Sequence, residues 1–261
     1  MHGCNKLKEI TIPVNVTTIE DIALAECKTL SKLSVAEGNN TFVVIQDCLI
    51  DVANKKIVQG LGTSSIPQDG SITSLGQYCF AYMPIKAVKI PDSIRVISNN
   101  AFGHCSVLQE VELPSTLTEL GDACFSWCFI LSKISLPEGL TTIKTYAFNE
   151  SSLDNVVIPS TVTDIMQRAF GYIQTLKTVT FKKAVDDNGN IKLPTIHFGA
   201  FEGSGKQDSP VVFNLPWSKE EHLAAYSGTD AQGKEKDPTF GAIGADIDNS
   251  DIFNFDYEEA N

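Results

Sequence analysis

An apolar pattern recurs along this chain from Ile85, Leu108, Leu131, Leu153 and Leu176. Its period is about 23 residues, a unit too small to bury its own apolar edges, so each unit must stack on a neighbour as one coil of a longer array. Only the step from Leu131 to Leu153 falls one residue short. The core then runs from coil to coil. For the same reason the 261 residues read as one elongated body, and chain length is a poor guide to domain number.

In the coil from Leu108 the pattern reads Leu108, Val111, Leu113, Pro114, Leu117, Leu120, Cys124, Phe125 and Cys128. Alternation at Val111 and Leu113 predicts a short strand, and Pro114 ends it because proline brings no amide proton to a ladder. The three-residue steps to Leu117 and Leu120 keep one face inward through a turn, of 3₁₀ type in this reading, before Phe125 fills the coil centre. Earlier coils start at Leu7 and Leu30. Leu24, Phe80, Phe102, Phe125, Phe148, Phe170 and Phe201 share the central slot and are expected to form an internal ladder. Gly3-Cys4 followed by Leu7 matches the tail of a coil, with Met1 in the central slot, so the opening residues read as mid-coil.

Two stretches break the period. Between Leu30 and Ile85 the alternating runs Phe42–Ile45, Cys48–Ile50 and Lys56–Val58 predict a projecting hairpin or an extension of the sheet, an insertion at about residues 36–66. Asn188-Gly189, between Val185 and Ile191, predicts a second hairpin at 182–194, because this pair supplies the positive φ angles of a tight turn. The solenoid thus spans 1–213. Residues 214–261 form a C-terminal cap, where Ser218 and Glu221 make a capping box for a helix to about Tyr226 and Ile252 to Tyr257 alternate as a half-buried strand does.

The formal charge is −12 and the pI about 4.7. Nucleic acid and anionic membranes need a basic footprint, which is missing, and there is no stretch of about 18 apolar residues to span a bilayer. The opening stretch from Met1 to Glu20 lacks the charged start and apolar block of an export signal, which places any such signal outside this chain.

The coil from Leu153, with Val156, Ile158-Pro159, Val162, Ile165 and Ala169-Phe170, resembles the BspA-like (Treponema pallidum type) branch of bacterial leucine-rich-repeat proteins. Asp47–Asp51 followed by Lys55–Gly60 is similar to the insertion of family members. The resemblance covers roughly residues 4–203. It implies a leucine-rich-repeat solenoid that is exported or surface-displayed, extracellular, and associated with adhesion to a protein on another cell or matrix. Cys79 and Cys124 in place of Ala, and Leu24 in place of Phe, depart from the pattern.

None of the recurring residues does chemistry. Cys4, Cys27, Cys105 and Cys128 share one slot and Cys79 and Cys124 another, which reads as small apolar wall residues with free thiols. A disulfide between Cys105 and Cys128 across one rung is the weaker reading, and zinc weaker still, because no paired C-x-x-C accompanies a histidine couple. His2, His104, His197 and His222 are scattered, and neither a nucleophile elbow nor a phosphate loop is present. Asp186 to Asn190 and Asp246, Asp248 and Asp251 lack the pattern of a calcium loop. No catalysis, metal or cofactor is expected.

The slot before each Cys position holds Tyr82, His104, Trp127, Glu150 and Tyr172. One residue per rung, about 4.8 Å apart, places Tyr82, His104 and Trp127 on an aromatic edge, and with Tyr172 they are the candidate ligand-binding residues. The edge serves a protein partner, a glycan in the manner of a carbohydrate-binding accessory module, or simply shields the wall. A passive spacer that displays another domain is the remaining reading. The outward strand face is a mixture of Lys, Glu, Gln, Ser and Asn in which Lys89 and Glu112 are expected to pair.

Overall fold

The computed structural model describes residues 3–206, 208–221 and 252–258. Met1, His2, His222, the helix beyond Glu221 and the Asp246–Asp251 group lie outside the described residues. The first two coils pair β1 (Glu9–Ile12) with β2 (Lys32–Val35) in parallel, Glu9 opposite Lys32 and Ile12 opposite Val35. The insertion follows as β3 (Phe42–Ile45), β4 (Cys48–Asp51) and β5 (Lys56–Gly60), antiparallel to one another in order.

From there the solenoid has two walls. One carries β6 (Ser74–Leu75), β8 (Val96–Ile97), β10 (Glu119–Leu120), β12 (Thr142–Ile143), β14 (Asp164–Ile165) and β16 (Thr195–Ile196). The other carries β7 (Ala87–Lys89), β9 (Glu110–Glu112), β11 (Lys133–Ile134), β13 (Asn155–Ile158), β15 (Thr178–Phe181) and β17 (Val212–Asn214), with β18 (Phe253–Asn254) pairing in parallel with β17. Ala87 opposes Glu110, Lys133 opposes Glu110 from the other side, and Asn155 opposes Thr178. The turn expected after Pro114 is present, with Leu117 N–H donating to Pro114 O at 3.2 Å. It leads into the two-residue strands of the wall that begins with β6, which the apolar pattern does not announce.

The β6 wall is interrupted between β10 and β12, and the β7 wall between β11 and β13. The break between β11 and β13 coincides with the short step from Leu131 to Leu153. Elsewhere a backbone link joins residues a full period apart, as Ser132 N–H to Gln109 O. Here Ser152 N–H reaches Leu131 O, short of a full period, and the register slips.

The central phenylalanines stack as expected from Phe80 to Phe201, with ring centroids 5.1 to 5.7 Å apart and planes within 9° of parallel. Leu24 does not join them. It belongs to a second, smaller core with Ile12, Phe42, Leu49, Val58 and Leu61. The insertion causes the division: it does not project but lies between the cores, burying Leu49 and Val58 on one side and Cys48, Ile50 and Ile57 on the other. β5 completes the plug by pairing antiparallel with β4 and parallel with β6.

The second hairpin forms around a Val185–Ile191 bridge. Its loop is one residue longer than a two-residue Asn-Gly turn: Asp186 N–H donates to Asn190 O at 2.8 Å and only Gly189 has a positive φ, 83°. A three-residue loop needs one left-handed residue, which glycine supplies. At the C-terminal end Glu221 N–H donates to Ser218 Oγ at 3.1 Å and Ser218 N–H to Glu221 Oε2 at 2.7 Å, the reciprocal capping box. Trp217 is fully buried, edge-on to Phe181 at 5.8 Å.

Candidate functional site: an aromatic edge and its apolar corner

The residues of the aromatic slot share an unusual backbone. Tyr82, His104, Trp127, Glu150 and Tyr172 all have φ between 56° and 64°. A left-handed conformation costs a non-glycine residue about 1 kcal/mol. It is offset by bonds along the stack: the N–H of each donates to the next rung, Tyr82 to Gly103 O at 2.9 Å, His104 to Ser126 O and Trp127 to Asn149 O at 2.8 Å. Four residues earlier a second column, Tyr78, Asn100, Ala123, Tyr146 and Arg168, is also left-handed. This column was missed in the sequence. Its signal is the glycines Gly199 and Gly203, which fill the two slots one rung beyond Arg168 and Tyr172 with φ of 71° and 67°.

Tyr82, His104 and Trp127 come together. The Tyr82 and His104 rings stack at 4.3 Å and His104 and Trp127 at 4.2 Å, tilted by 32°. Lys28 Nζ covers the outer face of Tyr82 at 4.6 Å, and Trp127 Nε1 donates to Glu150 Oε1 at 2.8 Å. Burial, together with a hydrogen bond to Glu26, pushes the Tyr82 phenol up to about 12. His104 shifts the other way, because desolvation between two rings disfavours its cation.

Tyr172 stands apart. Glu150 occupies the slot between it and Trp127, and Tyr172 instead joins Arg168, whose guanidinium lies 5.6 Å from its ring and 5.8 Å from that of Tyr146. Arg168 Nε and Nη2 donate to the two carboxylate oxygens of Glu202 at 2.8 and 3.2 Å, and Tyr172 Oη donates to Glu202 Oε1 at 3.0 Å. These bonds hold the Glu202 carboxyl below its ordinary value.

Exposure is greatest beside the stack. Trp127 is 37% exposed, and its near neighbours Phe129 and Ile130 are 51% and 40% exposed. In sibling coils the Phe129-Ile130 positions hold Lys28-Thr29, Ser106-Val107 and Gln174-Thr175. The fold therefore does not require an aromatic and a branched aliphatic residue at this corner.

The other candidates have structural roles. None of the seven cysteines is in a disulfide. Cys105 Sγ donates to Phe80 O at 3.1 Å and Cys128 Sγ to Phe102 O at 3.2 Å, while Ser204 in the same slot donates to Phe170 O. At Cys105, Cys128 and Ser204 the slot thus supplies a small donor to the carbonyl of the central phenylalanine one rung back, whereas Met83 and Ile173 fill it with apolar bulk and buried Ser151 Oγ has no partner among the described residues. Asp186 spends its carboxylate on Asn188 N–H, Asn190 N–H and Asn190 Nδ2. Among the described residues no three His, Cys, Asp or Glu side chains gather as a metal-binding group. The strand face carries cross-rung ion pairs, including the expected Lys89–Glu112 at 3.0 Å and Lys133–Glu110 at 3.6 Å.

Residues 1–48 and 73–204 match six copies of the BspA-type leucine-rich-repeat region. The chain belongs to the BspA-type leucine-rich-repeat family. The unmatched stretch between the two segments contains most of β4, all of β5 and the loop after it. Among solved structures the chain is similar to a leucine-rich-repeat protein from Eubacterium ventriosum, at 22% identity and a TM-score of 0.62, covering 78% of this chain and 60% of that one. A leucine-rich cell surface protein from Faecalibacterium prausnitzii is 29% identical over 67% of this chain and 48% of its own, with a TM-score of 0.60. The pneumococcal vaccine antigen PcpA shares the fold at 16% identity and a TM-score of 0.56, over 84% and 53%. The chain spans about half to three fifths of the length of these bacterial proteins. None of the curated proteins matches it. Among the described residues no helix is long and apolar enough to cross a membrane.

Proposed function

We propose that this chain is a non-catalytic protein-binding module of a bacterial cell surface, serving adhesion, and that its partner docks at the Trp127, Phe129 and Ile130 corner. The observation that carries this reading is the exposure of Phe129 and Ile130 where sibling coils hold mostly polar residues. Apolar side chains that the core does not need, grouped beside an aromatic stack, fit the centre of a protein interface. The family and the cell-surface relative from Faecalibacterium support the location. Tyr82 and His104, stacked behind Trp127, then position the edge.

The glycan reading of the same edge fares worse on geometry. Sugars pack on open ring faces, and here Lys28, His104 and Trp127 cover the faces of Tyr82 and His104, while the indole N–H of Trp127 is already bonded to Glu150. The test is a double variant, Phe129→Gln with Ile130→Thr, measured by surface plasmon resonance against immobilised purified extracellular-matrix proteins. Wild type is expected to bind at least one of them, and the variant to lose about 10- to 100-fold with an unchanged thermal melt. Equal binding by the two proteins, or none by wild type, would defeat the proposal.

A further inference from the structure

A second surface, independent of the aromatic corner, lies beneath the hairpin around Val185 and Ile191. This hairpin leans over the ladder of β12, β14 and β16 and encloses a groove of about 690 Å³ with it. Thr141, Thr161, Thr163 and Thr195 line it from the ladder side, and Lys183 and Lys192 from the hairpin side. Val162, which is buried, and Leu193 add apolar lining.

The chemistry of the two walls is complementary to one kind of ligand. Ser160 Oγ donates to Glu138 Oε2, Thr161 Oγ1 to Leu140 O and Thr163 Oγ1 to Thr141 O, at 2.9, 2.7 and 3.1 Å. The single hydrogen of each is spent, that of Thr163 being shared between Thr141 O and Asp164 Oδ2, so on this coil of the ladder wall the remaining lone pairs are acceptors. Lys183 and Lys192 make no ion pair within the described residues, although neighbouring Lys182 is held by Glu138 at 2.9 Å. Asp186 feels the charge of Lys192, but its carboxylate is bonded to Asn188 and Asn190. In a chain of net charge −12, two such ammonium groups on one groove wall call for an anion. Asp164, at one end, is engaged by Thr163 Oγ1 at 2.8 Å and lies 3.4 Å from His197 Nε2.

We infer that the groove between the Val185–Ile191 hairpin and the β12–β14–β16 ladder binds an acidic saccharide, with its carboxylate or sulfate on Lys183 and Lys192 and its hydroxyls donating to the threonine column. A saccharide is favoured over an acidic peptide by spacing. An extended peptide turns an N–H toward one side only every second residue, roughly 6.8 Å, whereas rungs repeat at about 4.8 Å. Ring hydroxyls offer several donors within one rung.

Calorimetric titration of the whole chain with oligogalacturonate, a sulfated chondroitin oligosaccharide, a neutral galactan of the same length and oligoglutamate tests the assignment. Binding of either acidic sugar, weakened by salt and absent for the neutral one, supports it, and the two acidic arms identify the anion. Lys183→Gln with Lys192→Gln is expected to weaken that binding about 100-fold, about tenfold for each charge-assisted bond. Thr161→Val is expected to weaken it several-fold, and the double lysine variant to melt like wild type. No binding of either acidic sugar at millimolar concentration, binding indifferent to the two lysines, or oligoglutamate binding as tightly as the sugars would overturn the inference. The Phe129 and Ile130 variant should bind the sugar normally, which separates this site from the protein-binding corner.

Discussion

Gly60 ends β5 where the inserted sheet meets the first ring of the phenylalanine ladder, and Gly60→Ala tests whether the insertion is a fitted plug. A Cβ built there would lie 1.8 Å from Phe80 Cε1 and 2.4 Å from Cδ1. The ring has no room to withdraw, because Phe80 is fully buried and its plane stacks on Phe102 at 5.1 Å within 3° of parallel. The strand cannot easily withdraw either. Gly60 N–H donates to Cys79 O at 2.7 Å, and buried Gln59 Nε2 donates to the same carbonyl at 3.1 Å and to Gly60 O at 2.8 Å. Overpacking of a filled core costs about 1–3 kcal/mol, and one broken backbone bond adds about 1 kcal/mol, so Gly60→Ala should lose about 2–4 kcal/mol. Equilibrium urea unfolding followed by tryptophan fluorescence measures it. Phe80→Leu alone should cost about 1–2 kcal/mol, and in the double variant the missing ring edge should admit the methyl, giving a favourable coupling of about 1–2 kcal/mol. A single variant within about 0.5 kcal/mol of wild type, or strictly additive costs, would show that ring and strand do not meet as described.

What was legible in the sequence was whatever repeats. Phe102, Phe125 and Phe148 recur in one slot, and a slot in a stacked array becomes a column whatever the local propensities. Departures from the repeat were legible only where their chemistry speaks alone. The alternating runs around Phe42–Ile45 and Cys48–Ile50 announced strands, but not that Cys48-Leu49-Ile50, apolar at three successive residues, is covered on both faces and separates the two cores. Left-handed φ left no trace at Tyr82, His104 or Trp127, because the cross-rung bonds that stabilise it come from a whole coil further along the chain. The ring faces of the candidate edge were unreadable for the same reason: Lys28 reaches Tyr82 across the whole insertion. Tyr172 was grouped with the edge by slot, but Glu150 fills the rung between and the bidentate pull of Glu202 on Arg168 gathers it elsewhere. Phe129 and Ile130 were visible against their siblings, but alternation marks only the strands, and they sit at a corner.

Trp127→Ala is expected to cost about 2–3 kcal/mol, since nearly two thirds of the indole is buried against His104 and its N–H is bonded to Glu150; a melt identical to wild type would mean the stack carries no stability. Cys128→Ser keeps a donor to Phe102 O, whereas Cys128→Ala leaves that carbonyl only its bond from Cys105 N–H at 3.3 Å and should be less stable than the serine variant by about 1 kcal/mol; the reverse order in urea would refute the donor role. Burial raises the thiols of Cys79, Cys105 and Cys124 well above the ordinary 9.0, and those of Cys48 and Cys128 to about 11 and about 12. Above pH 9 the unfolded chain therefore sheds protons that the native chain keeps. Stability should fall with rising pH by up to about 1.4 kcal/mol per unit for each thiol, and a urea midpoint equal at pH 8 and pH 10 would contradict it. The last expectation concerns the break between β11 and β13. If the missing residue of the short step causes it, inserting one asparagine between Ser151 and Ser152 returns β13 to a full-period register with β11. Two or three ladder bonds then become available, worth on the order of 1–3 kcal/mol together, and the amides of Asn155 to Ile158 should gain hydrogen-exchange protection toward that of Thr178 to Phe181. Unchanged protection in a folded insertion variant would mean that the cleft between the two strands is set by the packing of Ile134 and Leu136 and not by the length of the coil.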